Sequence, residues 1–336
     1  MAKKFVLSGY FGFKNFGDEA ILSVIVNKLK GERAVITVIS SNPDYTKSKF
    51  SNIETVYTFA IPKIIKEIVT ADYLISGGGS LLQDVTSLKS LIYYLGIISI
   101  ALFFHKKVII FAQGIGPINN KFGKLFTKIL LKHCKYVSVR DVKSRNLLKS
   151  WGIDSELVFD PVYSVPVTKK ECKNKTLAIQ LREFKTMNNE FLMNLAKEIN
   201  KNFSEYNIEI FSFQDSIDFE ICNKFKSYLT NCQNVTVYSG LNEQEIIEKL
   251  SKVEYLVSMR FHAIIIALLS GVKTLCVNYD VKVENLAKEF DLPVINLCDK
   301  DFKTEFVNLL SQNTSLISEK VKDKKFDWSG FNKAIM

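Results

Sequence analysis

FVLSGYFGFKNFGDEAIL, at residues 5–22, passes from a short apolar run through three glycines into a segment with helical spacing. A strand, a tight turn and a helix in that order form the repeating unit of a parallel β-sheet whose faces are covered by helices. The same succession recurs through the first half of the chain. Its strands are predicted at Phe5–Ser8, Val35–Ser40, Tyr73–Ser76, Val108–Ala112 and Tyr136–Val139. Its helices are predicted at Asp18–Leu29, Pro62–Val69, Leu88–Phe104, Lys121–His133 and Asp141–Trp151.

The pattern lapses at DPVYSVPVTKKECKNK, residues 160–175, where two prolines and a lysine-rich stretch indicate a linker. It then resumes with strands predicted at Thr176–Leu181, Ile208–Phe213, Val235–Tyr238, Tyr255–Ser258, Thr274–Asn278 and Val294–Leu297. We therefore predict an α/β protein with two Rossmann-like, doubly wound domains facing a central cleft. The domains are predicted at 1–165 and 166–312. A tail at 313–336 is expected to end the second domain or to return to the first.

The composition is that of a globular protein, with 47% hydrophobic and 24% charged residues among 336. The formal net charge of +10 comes from lysines scattered through the chain and not from an arginine-rich arm. Because no helix-turn-helix, zinc-finger or RNP-type motif accompanies that charge, we predict no nucleic-acid partner. A basic face toward phospholipid headgroups stays open, and with it peripheral association with the membrane surface.

The N-terminal sequence does not predict export, because its first apolar run ends at Ser8 and Gly9. The most apolar stretch, Leu91–Phe104, is shorter than the roughly 20 residues of a spanning helix, and we predict a helix buried against the sheet. Six irregularly spaced cysteines without a CxxC pair favour reduced thiols in the cytoplasm. With three histidines and no paired-histidine motif, neither a metal nor another cofactor is predicted.

Ligands of open parallel sheets bind at the carboxyl ends of the strands, so the motifs that follow strands are candidates for the site. After the first strand, Asn15, Gly17 and Asp18 lie where a helix begins. Asp18 either caps that helix or contacts a substrate hydroxyl, where a carboxylate is able to act as a base. The glycine spacing is not GxGxxG, so a dinucleotide site is not indicated.

Later strands of the first half end in further candidates. Gly77, Gly78 and Gly79 form a triplet whose backbone N–H groups either approach a ligand or allow tight helix packing. Gln113 offers a donor and an acceptor in the turn after the next buried strand. Arg140 ends the last clear strand, and its guanidinium either binds an anionic substrate group or pairs with the neighbouring carboxylate.

The second half contributes Arg260 and His262, which follow a strand and begin an apolar helix. An arginine and a histidine at a helix N-terminus favour binding of an anion. His105 and His133 lie beside lysines at helix ends and are interpreted as surface residues. Arg182 follows an earlier strand and is either a further anion-binding residue or a solvated loop residue.

Taken in order, GYFGFKNFGDEAIL, SGGGSLLQD, AQGIGP, SVRD, DPV and SMRFHAIIIALLSGV form a specific set, although each motif alone is weak. The set spans residues from about 5 to 280 and resembles the polysaccharide pyruvyl transferase family, closest to its CsaB type. The resemblance implies a fold similar to the GT-B glycosyltransferases. It implies transfer of the pyruvyl unit of phosphoenolpyruvate to a sugar as a cyclic ketal, with no cofactor.

The CsaB type implies as acceptor N-acetylmannosamine in a lipid-linked, undecaprenyl-diphosphate-bound precursor of secondary cell-wall polymer. The pyruvylated sugar then anchors S-layer proteins. The family's Arg-x-His signature falls on Arg260 and His262, its strand-end arginine on Arg140, and its Gly-Asp segment on Gly17 and Asp18.

The chemistry of phosphoenolpyruvate suggests a role for each residue. Its carboxylate and phosphate require cationic partners, for which Arg260, Arg140 and Arg182 are candidates. His262 is the expected general acid and Asp18 the expected general base. A nucleotide-sugar-dependent glycosyltransferase of the same fold is the enzyme alternative. A non-enzymatic module that binds polysaccharide or a membrane surface is the other alternative.

Overall fold

A computed structural model of the chain describes residues 2–167 and 175–336. The chain divides into two compact units: unit 1 comprises Met1–Val165 and Lys325–Met336, and unit 2 comprises Pro166–Lys324. Unit 2 thus continues beyond residue 312, where the sequence predicts the end of the second domain, because a further helix follows there.

Part of the predicted linker is ordered as a short 3-10 helix, Pro161–Ser164, in unit 1. Residues 168–174, which include Cys172, lie outside the described residues. The five cysteines that the structure describes, Cys134, Cys222, Cys232, Cys276 and Cys298, are free thiols.

Unit 1 is built on a seven-stranded, entirely parallel sheet in the order β3-β2-β1-β4-β5-β6-β7. The strands are β1 (Lys4–Ser8), β2 (Val35–Ser40), β3 (Glu54–Tyr57), β4 (Tyr73–Gly77), β5 (Lys107–Gln113), β6 (Tyr136–Val139) and β7 (Glu156–Leu157). The helices are α1 (Phe16–Lys30), α2 (Pro43–Lys49), α3 (Ile61–Thr70), α4 (Leu88–Phe103), α5 (Lys121–Lys132) and α6 (Val142–Ser150).

Unit 2 has a six-stranded parallel sheet in the order β10-β9-β8-β11-β12-β13. The strands are β8 (Thr176–Gln180), β9 (Asn207–Phe211), β10 (Asn234–Tyr238), β11 (Tyr255–Ser258), β12 (Lys273–Asn278) and β13 (Val294–Asn296). The helices are α7 (Asn189–Asn202), α8 (Asp215–Lys226), α9 (Glu243–Leu250), α10 (Phe261–Leu269), α11 (Val281–Phe290), α12 (Lys303–Leu310) and α13 (Thr314–Lys322). A last helix, α14 (Ser329–Ile335), belongs to unit 1.

Both sheets have the Rossmann strand order, in which the winding direction reverses at the first strand of the unit. β1 pairs with β2 on one side and β4 on the other, and β8 pairs with β9 and β11 in the same way. The prediction of two parallel-sheet α/β domains is therefore confirmed.

The C-terminal segment completes the core of unit 1 by packing on its sheet. The rings of Phe326, Trp328 and Phe331 lie 5.0, 5.5 and 5.4 Å from the ring of Phe111 on β5. The hydroxyl of Tyr73 donates a hydrogen bond of 3.0 Å to the carbonyl of Ile335. Residues 325–336 are therefore part of the folded unit.

Truncation of this contact is expected to destabilise unit 1. Phe331 is fully buried, so Phe331→Ala should lower the free energy of unfolding by about 3–5 kcal/mol. Both tryptophans of the chain, Trp151 and Trp328, belong to unit 1, so their fluorescence during urea unfolding reports on this unit. Phe122→Ala, at a side chain 74% exposed, is the matched control and should change stability by no more than about 0.5 kcal/mol. Equal midpoints for both variants would contradict the packing described.

Candidate active site

Unit 1 brings four of the sequence motifs to one edge of its sheet. β1, β4, β5 and β6 are parallel neighbours, so the segments after their carboxyl ends lie side by side. Backbone hydrogen bonds between neighbouring segments continue past the strands, since the Gly114 N–H donates to the carbonyl of Gly79 at 3.1 Å. The Gly116 N–H likewise donates to the carbonyl of Leu82 at 2.8 Å. The glycine triplet and the Gln113 turn are therefore one connected structure.

Asp18 lies against the glycine triplet and does not cap α1. The N-cap is Asn15, whose side chain accepts a hydrogen bond of 3.2 Å from the Gly17 N–H, so the cap interpretation of Asp18 is wrong. Gly78 and Gly79 have φ of +87° and +58°. A Cβ on Gly79 would lie 2.6 Å from Oδ1 of Asp18, so a larger residue there would require the carboxylate or the loop to shift.

Glu19, the residue after Asp18, holds the first loop in place and was not singled out in the sequence. It is fully buried, and its Oε1 accepts a hydrogen bond of 2.7 Å from the Gly12 N–H. Its Oε2 pairs with the ammonium group of Lys49 at 3.1 Å. The side chain of Glu19 thus fixes the loop that leads to Asn15 and Asp18.

Gln113 is fully buried and joins β5 to β4. Its Nε2 donates to the carbonyl and the hydroxyl of Ser76, both at 2.9 Å. Its Oε1 has no hydrogen-bond partner among the residues that the structure describes. The amide thus supports the base of the glycine triplet.

Arg140 is held by Asp160 and not by the adjacent Asp141. Nη1 of Arg140 lies 2.5 Å from Oδ2 of Asp160, and both side chains are at most 7% exposed. Oδ1 of Asp160 also accepts a hydrogen bond of 3.0 Å from the Val162 N–H. Asp141 instead caps α6 through the backbone N–H of Ser144 at 2.8 Å. The guanidinium of Arg140 is therefore fixed at the end of β6.

In unit 2, Arg260 is the N-cap residue of α10 and part of a buried polar network. Its backbone N–H donates to Oε1 of Gln180 and to Oγ of Ser258, both at 3.0 Å. Its Nη2 donates to both carboxylate oxygens of Asp218, at 2.8 and 2.9 Å. Burial raises the pKa of the Asp218 carboxyl, and the neighbouring guanidinium opposes that shift.

The pairing with Asp218 leaves part of the Arg260 guanidinium unused. Both hydrogen bonds to the carboxylate come from Nη2, and Nε has no hydrogen-bond partner among the described residues. A guanidinium has five N–H groups, so Arg260 keeps donors that no described residue uses while Asp218 fixes its orientation.

His262 and Arg182 lie close to this network. His262 is the second residue of α10 and is half-buried, and its ring meets that of Phe261 edge-on at 5.2 Å. The N-terminus of α10 favours a negatively charged group close to its first residues. Arg182 is half-buried, and its backbone N–H donates to Sδ of Met259 at 3.2 Å. Its guanidinium forms no ion pair within residues 2–167 and 175–336.

Asp218 is the member of this buried network that the sequence did not indicate. It lies in the first turn of α8, and its Oδ2 also accepts the N–H groups of Phe213 and Gln214 at 3.2 and 3.1 Å. A buried arginine requires a carboxylate partner, which the presence of Arg260 could have indicated. The partner is 42 positions away in the sequence, so no local spacing identifies it.

The described residues contain no group of three or more histidine, cysteine, aspartate or glutamate side chains placed to hold a metal ion. None of the helices in residues 2–167 and 175–336 combines the length and hydropathy that a membrane span needs.

A model of the polysaccharide pyruvyl transferase family matches residues 15–281, which include Asp18, the glycine triplet, Arg140, Arg260 and His262. The chain belongs to this family. Membership makes it a transferase that places pyruvyl groups on a saccharide. No curated protein matches the chain significantly.

Solved structures similar to this pyruvyl transferase include an epimerase of UDP-GlcNAc and a galactosyltransferase. A UDP-GlcNAc 2-epimerase from Neisseria meningitidis bound to UDP-GlcNAc has a TM-score of 0.61 at 12% identity, covering 95% of this chain and 97% of its own. Alr3699/HepE from Anabaena, in complex with UDP and glucose, has a TM-score of 0.64 at 10% identity, covering 100% and 98%. The lipopolysaccharide outer core galactosyltransferase WaaB has a TM-score of 0.56 at 15% identity, covering 99% of both chains. At these identities the likeness shows the fold, which is of the GT-B kind.

Proposed function

We propose that this pyruvyl transferase joins the pyruvyl group of phosphoenolpyruvate to two hydroxyls of a sugar as a cyclic 4,6-ketal and releases phosphate. The observation that carries the proposal is the placement of Arg260 and His262 at the start of α10, where the backbone N–H of Arg182 donates to Sδ of Met259, the residue before Arg260. The proposed acceptor is that of the CsaB type, N-acetylmannosamine in an undecaprenyl-diphosphate-linked precursor of secondary cell-wall polymer. The pyruvylated product is proposed to serve S-layer anchoring. The enzyme is proposed to act at the inner face of the cytoplasmic membrane.

The donor is proposed to bind at the carboxyl edge of the sheet in unit 2. Phosphoenolpyruvate carries a carboxylate and a phosphate, and each requires a cationic or N–H-rich partner. Arg182 and the unused donors of Arg260 supply two such partners, and the N-terminus of α10 adds a third. Arg140 of unit 1, whose guanidinium Asp160 holds in one orientation, is a further proposed partner for an anionic group of a substrate.

Proton transfer starts the reaction. His262 as imidazolium is proposed to give its proton to the methylene carbon of phosphoenolpyruvate, which becomes a methyl group. The adjacent carbon then carries positive charge shared with its oxygen, and a sugar hydroxyl attacks it. The bond from that carbon to the phosphate oxygen then breaks, and a second hydroxyl of the same sugar attacks the same carbon, so the ketal closes. The proton of the second hydroxyl restores the imidazolium of His262, and the proton of the first hydroxyl ends on the released phosphate. Atoms balance without any redox step.

The acceptor is proposed to bind at the carboxyl edge of the sheet in unit 1. Asp18 takes the proton of the attacking hydroxyl, while Asn15, Gly17 and the glycine triplet provide backbone and amide groups for the sugar. The proximity of Gly79 to the Asp18 carboxylate supports this role, because the loop fixes where the base lies.

A pair of glycine variants tests the role of the loop. Gly79 and Gly152 both have positive φ, +58° and +69°, so alanine at either is expected to lower stability by about 1–2 kcal/mol. Only at Gly79 would the new Cβ displace Asp18, whereas a Cβ at Gly152 meets nothing within 4 Å. Gly79→Ala should therefore lower kcat by about 10²-fold and Gly152→Ala should not. Equal kcat values for the two variants would remove the argument for Asp18.

The alternative is a glycosyltransferase that uses a nucleotide sugar, and the complexes of the Neisseria and Anabaena proteins with UDP compounds favour it as the second candidate. The two activities differ in the leaving group. Incubation with phosphoenolpyruvate should release phosphate only when a saccharide acceptor is present. Release of nucleotide from UDP-sugars, with no phosphate from phosphoenolpyruvate, would favour the glycosyltransferase.

A further inference from the structure

One face of unit 1 has an unusual charge pattern. Residues 85–140 contain eight lysines and Arg140 but no aspartate or glutamate, in a chain that has 35 acidic residues. The stretch includes α4 and α5. Its surface is therefore positively charged and has no acidic side chains of its own to offset that charge.

The apolar stripe of α5 points away from the protein. The residues of α5 that face the core are Gly123, Thr127 and Leu131, all buried. On the opposite side, at helical spacing, lie four large apolar side chains that are 74, 52, 54 and 46% exposed: Phe122, Leu125, Phe126 and Ile129. A stripe of lysines runs beside them, comprising Lys121, Lys124, Lys128 and Lys132.

The outer side of α4 is apolar as well. Ile92 and Phe103 are 58% and 77% exposed, and Val85, just before the helix, is 64% exposed. Gly96, on the same side, has open space where a Cβ would be. The prediction that this apolar segment is a buried helix therefore holds for one side of α4 only, since Leu91, Leu95 and Ile98 pack inward while these residues do not.

The two helices lie side by side on the sheet. A Cβ on Gly123 of α5 would come within 2.9 Å of Cδ2 of Leu91 on α4, so the helices approach closely at a glycine. Residues of both helices pack in the same core cluster. Their outward sides consequently form one surface, which we term the α4–α5 face: the exposed residues Val85, Leu88, Ile92, Phe103, Phe122, Leu125, Phe126 and Ile129 with the lysines of α5.

We infer that the α4–α5 face docks unit 1 on an anionic phospholipid bilayer. Phenylalanine and leucine side chains beside a lysine stripe are the composition of helices that lie in the membrane interface, where rings enter the acyl boundary and ammonium groups meet phosphate. The long lysine stems let the charged groups reach the headgroups while the rings are buried.

The charge of the face favours a bilayer over a second copy of the chain. In a two-fold dimer through this face, the same lysine stripe would be present on both sides, with no acidic side chain of residues 85–140 to neutralise it. A bilayer rich in phosphatidylglycerol offers both the apolar layer and the negative charge. Isolated exposed apolar residues are normal on proteins, but a continuous surface of this kind is typical of an interaction site.

Docking by this face would bring the enzyme to a lipid-bound acceptor. This link to the acceptor rests on the proposed function. α4 and α5 begin at the carboxyl edge of the sheet, where the glycine triplet and the Gln113 turn lie. Asp84 joins the segments before both helices, because its carboxylate accepts the N–H groups of Asn119 and Asn120 at 2.9 and 2.6 Å. These hydrogen bonds lower the pKa of Asp84. A bilayer under the face would therefore hold a lipid-linked sugar next to the proposed acceptor site.

The test is co-sedimentation of the full chain with vesicles of phosphatidylcholine alone and of phosphatidylcholine with phosphatidylglycerol, with no donor or acceptor added. The wild-type chain should bind the anionic vesicles, and binding should weaken as salt screens the charges. Replacing Lys121, Lys124 and Lys128 with glutamine should lower the partition coefficient on the order of 10²-fold. The matched control replaces three exposed lysines of unit 2 with glutamine: Lys197, Lys201 and Lys226. This variant loses the same charge, and its binding should change far less.

A second variant, Phe122→Ser with Phe126→Ser, tests the apolar part and should lower binding at least about tenfold. Both side chains are exposed, so tryptophan fluorescence should report an intact unit 1. Equal binding to neutral and anionic vesicles would overturn the inference. An equal loss of vesicle binding in the unit 2 lysine variant would also overturn the inference. A wild-type dimer that the Phe variant converts to a monomer would overturn it as well. Because no substrate is present, failure here leaves pyruvyl transfer untouched, and turnover on a water-soluble disaccharide tests that activity by itself.

Discussion

Replacing His262 with glutamine is expected to lower kcat by about 10²–10⁴-fold while leaving the protein folded. Glutamine keeps a polar group of similar size at the second position of α10 but cannot deliver a proton to carbon. Without that proton the double bond of phosphoenolpyruvate does not become electrophilic, so no later step proceeds. The measurement is phosphate release from phosphoenolpyruvate at saturating saccharide acceptor.

His133→Gln is the matched control, because His133 is an exposed residue at the end of α5. It should retain the kcat of the wild type. A His262→Gln variant with near-wild-type turnover would exclude His262 as the acid and leave the proton donor to another group. A variant that binds phosphoenolpyruvate normally but does not turn over would separate proton transfer from donor binding.

Replacing Asp218 with alanine is expected to destabilise unit 2 by about 3–5 kcal/mol, because it leaves the guanidinium of Arg260 buried without its carboxylate. The side chain of Asp218 is fully buried and that of Arg260 is 10% exposed, so water cannot replace the lost partner. Hydrogen exchange of the α8 and β11 amides measures this loss locally. Turnover should fall as well, since Asp218 orients the guanidinium proposed to bind the donor.

Two controls make this result specific. Glu248→Ala removes the partner of Lys252 in an exposed i,i+4 pair and should cost no more than about 0.5 kcal/mol. The double variant Asp218→Leu with Arg260→Leu removes both charges and should be more stable than Asp218→Ala, although inactive. If Asp218→Ala were as stable as the wild type, the pair would not be the buried interaction described.

The sequence predicts the sheets well because their central strands are buried on both faces and are therefore continuous apolar runs, as at Tyr73–Gly77. β3 and β7 were not predicted, since these two edge strands are short and partly exposed and give no such run. The strand-end motifs were also visible, because parallel strands place their carboxyl ends together whatever the side chains are.

Side-chain pairing was not predictable in the same way. Arg140 pairs with Asp160 and Arg260 with Asp218, each across a distance in sequence that tertiary packing alone determines. Asn15 rather than Asp18 caps α1, because the helix begins two residues earlier than the apolar spacing indicates. The sequence also predicts α5 as a helix, but only the fold decides which of its sides faces inward.

The most direct measurement is mass spectrometry of a saccharide acceptor after incubation with phosphoenolpyruvate, in H₂O and in D₂O. Pyruvyl transfer predicts a ketal on the sugar, one phosphate released for each ketal formed, and a methyl group that carries one deuterium when the solvent is D₂O. An unmodified acceptor, or a sugar lengthened by another sugar from a nucleotide donor, would contradict the proposed reaction.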